Sequence, residues 1–151
     1  MASITSVVGA RSTLTTTLIN SLAPGAYVAA GTINHATNDP LDVLVEVRIM
    51  PGTVAGDKVV LVFAKGSLDG TNFTSGPESG TTETDENNLV FLGSIPCNTN
   101  AAEQAGIFSL AAAFGGALPQ ASKIILKNDT GAALASSGNA VYFAEVSGAS
   151  A

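Results

Sequence analysis

A chain of 151 residues, 46% hydrophobic and only 12% charged, is long enough to enclose one core and too poor in ions to be covered like an ordinary solvated helical protein. One domain is expected, surfaced with Thr, Ser, Asn, Gly and Ala; its net charge of −6 excludes the basic footprint that holds nucleic acid or anionic lipid. The single cysteine, Cys97, excludes an intrachain disulfide, a redox cysteine pair and a multi-cysteine zinc site.

The opening Met-Ala-Ser-Ile-Thr-Ser has no basic region followed by an apolar run, and no stretch is apolar over the roughly 18 residues of a membrane span. Production and retention in a cytoplasm are therefore expected. The segment from Ala2 to Asn20 is rich in Thr, and the run at 12–20 predicts a strand. It fits either an ordinary first strand or an arm laid along a neighbouring molecule. A second strand is predicted at 26–33. His35, the only histidine, follows in Ile33-Asn-His-Ala-Thr-Asn-Asp-Pro40, whose composition predicts a polar turn with an exposed or locally hydrogen-bonded imidazole.

Strict alternation then places Leu41, Val43, Val45, Val47 and Ile49 on one face of a half-buried strand. Pro51-Gly52 ends it, and Gly56-Asp57 predicts a turn into Lys58–Lys65, which is apolar on both faces and reads as a central strand. Residues 66–88 hold almost no apolar side chain after Phe73 and predict a long, exposed acidic loop, mobile unless a partner orders it. No Lys or Arg occurs between Lys65 and Lys123, whereas Asp69, Glu78, Glu83, Asp85, Glu86 and Glu103 all lie there, so one acidic face is expected.

A strand is predicted at 88–95, after which Cys97 is expected to be buried as a small apolar residue. In 101–115, Ile107, Leu110, Ala111 and Phe114 keep helical spacing, yet Gly106 interrupts a helix. The reading is a strand at about 106–111 followed by a helical turn. Further strands are predicted at 122–127 and 139–146, and residues 147–151 are expected to form a flexible tail. About seven to eight short strands with Gly-rich turns and no βαβ periodicity imply an all-β fold, an antiparallel β-sandwich or jelly roll.

Catalytic motifs are missing: the Gly-x-Gly-x-x-Gly, P-loop and Gly-x-Ser-x-Gly patterns do not occur. No enzymatic activity, cofactor or metal is expected. Glu78, Glu83, Asp85 and Glu86 lack the spacing of a calcium loop and share one flexible run, unlike a glycosidase pair held across a cleft. They are read as a solvated acidic loop. The sequons at Asn72 and Asn128 are read as turn residues.

Three stretches carry a resemblance: Val62-Phe-Ala-Lys-Gly-Ser-Leu-Asp-Gly-Thr-Asn-Phe73, Phe91-Leu-Gly-Ser-Ile-Pro96, and Leu118-Pro119 through Lys123-Ile-Ile-Leu-Lys-Asn128-Asp-Thr-Gly131 to Val141-Tyr142. Over about residues 59–146 the chain resembles the small β-sandwich virion proteins of tailed bacteriophages, of the head decoration or cement type. That resemblance implies a virion structural protein on the capsid exterior, made in the host cytoplasm. Its partners would be the major capsid protein and further copies of itself, as a dimer or trimer, with no nucleic acid or membrane. Asp69, Phe73, Glu83, Asp85 and Glu86 are the candidate partner-contacting residues. The alternatives are a tail or head-tail component and a carbohydrate-binding module using Phe73, Tyr27 or Tyr142 as sugar platforms.

Overall fold

The computed structural model describes residues 4–54 and 58–150, with the side chain of Ser150 excepted; the expected turn at Gly56-Asp57 lies outside them. The strands are β1 (Ile4–Val8), β2 (Ser12–Thr15), β3 (Tyr27–Asn34), β4 (Asp42–Ile49), β5 (Val59–Ser67), β6 (Ser79–Gly80), β7 (Val90–Pro96), β8 (Gln104–Ser109), β9 (Ala121–Asp129) and β10 (Ala140–Ser150). They form two five-stranded antiparallel sheets packed face to face. The expected β-sandwich is the fold observed.

In the first sheet β4 lies between β10 and β8, and the other edge of β10 is shared by β2 and β1. The second sheet runs β6-β3-β9-β5-β7. The alternation in β4 sets its burial: Val43, Val45, Val47 and Ile49 are each 0% exposed, facing Val60, Val62, Ala64, Ile124 and Leu126 of the opposite sheet in one core. Leu41, assigned to the same face, instead precedes the strand and is exposed. Ser109 ends β8 and caps the one-turn helix α1 (Leu110–Ala113), its Oγ accepting from Ala112 N at 3.0 Å. Strand followed by helical turn is thus what 101–115 forms.

The first strand, the tail and the histidine turn also need correction. The first strand stops at Thr15, because its Oγ1 accepts from the backbone N–H groups of Thr17 and Leu18 at 3.2 and 3.1 Å and turns the chain. Ser147–Ser150, expected to fray, pairs with Val7–Ile4; small residues give no periodic signal, and backbone hydrogen bonds carry that pairing. His35 is buried, as the candidate site shows.

Candidate functional site

The outer face of the second sheet is where the structure departs most from expectation. Tyr27, Phe63, Ile125 and Leu89 form a second, smaller apolar cluster there. The first three project outward from β3, β5 and β9, and Leu89 lies at the end of the 66–88 segment. That segment closes over the cluster as a strap, with Ser79–Gly80 pairing onto Tyr27–Val28. A chain lying over an apolar patch withdraws that patch from water, so contacts within the chain hold the strap in place.

Lysines of the sheet face the strap's carboxylates. Glu78 accepts from Lys65 at 2.7 Å and from Lys123 at 2.8 Å. Lys127 donates to Glu83 at 2.6 Å and Glu86 at 2.8 Å, and Glu86 also accepts from the Tyr27 hydroxyl. Partial burial opposes ionisation of Glu78, but its hydrogen bonds from Lys123 and Lys65 prevail and hold its carboxyl below the usual range. Burial likewise opposes the charge on Lys127, and Glu83 and Glu86 outweigh it, so its ammonium is held above its ordinary value.

The predicted contact residues have correspondingly local duties. Asp69 clasps its own turn: it accepts from the backbone N–H of Asn72 at 2.7 Å, from Asn72 Nδ2 at 2.6 Å, from Thr71 N at 2.8 Å and from Ser67 Oγ at 2.9 Å. These bonds, the Asn72 backbone N–H first, hold its carboxyl far below the usual carboxylate range. Phe73 lies under Lys123 Nζ, 4.7 Å from the ring centre. Asp85 starts a 3₁₀ turn at Glu86–Asn88 with φ +61° and stays exposed. Phe73, Glu83 and Glu86 therefore share the strapped face, whereas Asp69 holds its own exposed turn.

Nor is there one acidic face. Glu103 immediately precedes β8 of the other sheet, 2.8 Å from Arg48, where Glu46 bonds Arg48 and Arg11 and Arg11 stacks 4.0 Å from the Tyr142 ring centre. Sequence reasoning missed Lys65, Lys123 and Lys127. Their signal was present in the strand period: Lys123, Ile125 and Lys127 alternate onto one face of β9, with Lys65 opposite Lys123 and Tyr27 opposite Lys127.

His35 is only 3% exposed, and its Nε2 lies 2.9 Å from the Oγ of fully buried Ser122. Its backbone N–H donates to the Gln120 carbonyl at 2.8 Å, which ties the turn to β9 and draws the ring inside; composition reports the turn's polarity and not this tie. Nδ1 has no hydrogen-bond partner among the described residues. Burial lowers the imidazole pKa against the opposing pull of Glu145. The side chain borders an open depression of about 410 Å³ lined by Pro40, Leu41, Leu118 and Pro119. Cys97 is fully buried, as expected, and burial pushes its thiol up to about 11.

Comparison with protein-family models, with curated proteins and with solved structures gave no match. The surface itself thus has to carry the functional reading. Among the described residues no three His, Cys, Asp or Glu side chains gather as a metal-ligand set, and the strap's glutamates are paired with lysines. The three rings considered as sugar platforms are occupied: Tyr27 is buried under Lys127, Phe73 lies beneath Lys123 and Tyr142 beneath Arg11.

The first sheet presents a different surface. β4 pairs with β10 only as far as Val146, so Ser147–Ser150 and β1 continue past it as a two-stranded ribbon. All five residues of β1 are exposed, with Ile4 at 77%, Val7 at 46% and Val8 at 57%. Ile107 on β8 adds a further exposed apolar side chain at 66%.

Proposed function

We propose that this chain is a non-enzymatic virion structural protein that decorates a phage capsid and clamps its outer surface through contacts with the major capsid protein and with further copies of itself. The observation that carries the reading is the projecting, uncharged β1/β10 ribbon on a two-layer scaffold whose other sheet is strapped shut. Such a ribbon serves adhesion, since exposed strands and apolar side chains are what an extended partner segment can pair with. The phage-like stretches at 62–73, 91–96 and 118–142 supply the context. On a lattice each contact recurs in many copies, so interfaces that are individually modest hold collectively.

The test is co-sedimentation of the purified chain with phage heads that lack decoration, followed by heating of the loaded heads. Saturable binding and a higher temperature of head rupture are expected. A chain that stays in the supernatant and leaves head stability unchanged would end this reading, and a positive glycan array would replace it with the carbohydrate-binding alternative.

A further inference from the structure

The free edge of β1 fits one partner better than others: the same edge of a second copy. We propose that two copies associate about a two-fold axis by antiparallel pairing of β1 with β1, centred on Ser6, which joins their β1-bearing sheets into one continuous sheet. This names the self-contact within the adhesive reading above, and its test is read independently of capsid binding.

The pairing geometry follows from the backbone. Gly9 N donates to Glu145 O at 2.8 Å, one step beyond the Val8–Val146 pair. Antiparallel alternation then turns Val7 and Thr5 toward β10 and leaves the N–H and C=O groups of Ile4, Ser6 and Val8 pointing away from it. Those outward groups are all of one parity, so a two-fold through Ser6 brings Ser6 opposite Ser6 and Ile4 opposite Val8, each as a hydrogen-bonded pair. The side chains agree with this register. Ile4 meets Val8 of the other copy on one face and Thr5 meets Val7 on the other, so every non-central pair is β-branched, the class that packs best across strands.

Charge leaves this edge open to a second copy. Residues Ile4–Ala10 and Ser147–Ser150 hold no ionisable side chain, in a molecule of net charge −6. Two copies repel over most of their surfaces and can approach closely only along such a neutral strip. Natural sheet edges are usually guarded by charges, proline or brevity, and the edges formed by β6, β7 and β8 show it: β6 has two residues, β7 ends in Pro96, and β7 and β8 lie against one another. β1 has none of these guards and pairs with β10 alone among the described residues.

Sedimentation equilibrium of the whole chain tests the proposal. Five residues a side make a small interface, so the average mass should rise with concentration and stand clearly above the monomer's by about 1 mM. Ser6→Pro removes an N–H aimed at the partner, and proline is tolerated where an edge N–H faces away from its own sheet. This variant should stay monomeric with an unchanged far-ultraviolet spectrum. Ser6→Cys should form a disulfide-linked dimer under mild oxidation, because hydrogen-bonded antiparallel pairs stand about 5.5 Å apart at Cα; native Cys97 is buried and does not compete. A wild-type chain still monomeric at about 1 mM, a Ser6→Pro chain that dimerises as wild type, or amide protection of Ile4–Val8 appearing only with capsids would overturn self-pairing. The last outcome would assign the edge to a capsid strand. A dimer that ignores heads would instead retain the pairing and remove the capsid.

Discussion

Asn128 shows how much one side chain can fix. It is fully buried, its Nδ2 donates to the carbonyls of Leu22 and Ala132, both at 2.7 Å, and its Oδ1 accepts from Thr130 N at 3.1 Å and Thr130 Oγ1 at 2.6 Å. Asn128→Ala strands those groups away from water, and a loss of about 3 kcal/mol in urea unfolding is expected. Gly31 is held by space and conformation together: φ is +150° at a β3 bulge, and an added Cβ would stand 2.7 Å from Leu14 Cδ1. Gly31→Ala should cost about 2 kcal/mol, measured the same way. His35 supplies a pH dependence. Its folded pKa lies below the unfolded 6.5, so the unfolded chain binds more protons between those two values. Its contribution is complete above pH 6.5 and is lost as pH falls through the lower folded value. His35→Gln should flatten the fall in melting temperature over that window. Of these residues the sequence disclosed the turn around Asn128, whereas the burial of His35 was hidden because its partner Ser122 is 87 positions away.

At the level of elements, the strap over the second sheet makes the sharpest distinction. Glu78 links it to two strands, through Lys65 on β5 and Lys123 on β9. Glu78→Gln should cost only about 1 kcal/mol globally, since the carboxylate is partly in solvent, while hydrogen exchange in Ser79–Leu89 accelerates and that of β9 does not. The wild-type chain should do the same as pH falls. A carboxyl with a lowered folded pKa stabilises above its ordinary range and loses that contribution as pH drops through the folded value. Uniform acceleration in both segments would mean that the strap does not open by itself. The seven to eight strands expected from strand patterns and turn residues are present. β6 was not anticipated, because two residues carry no period, and β1 fell only within the broad reading of Ala2–Asn20 as a first strand or an arm, because its residues are exposed on both faces and show no alternation of burial. The strap was read as a mobile loop because the apolar partners it covers, Tyr27, Phe63 and Ile125, come from three distant strands.

For the molecule as a whole, one core spans both sheets, and a single cooperative unfolding transition is expected. Tyrosine fluorescence, which reports Tyr27 in one sheet and Tyr142 in the other, should coincide with far-ultraviolet circular dichroism. Two separated transitions would show that the sheets unfold independently. The local patterns of this sequence determined the all-β class, the facing of β4 and β5, the helical turn after β8 and the burial of Cys97, because strand period and turn chemistry act over a few residues. Tertiary structure alone decided which lysines receive the strap's carboxylates, that His35 lies inside, and that the N-terminal strand meets Ser147–Ser150 in a ribbon. These contacts join residues from 13 to more than a hundred positions apart, and no local pattern encodes a proximity that only the folding of the whole chain creates.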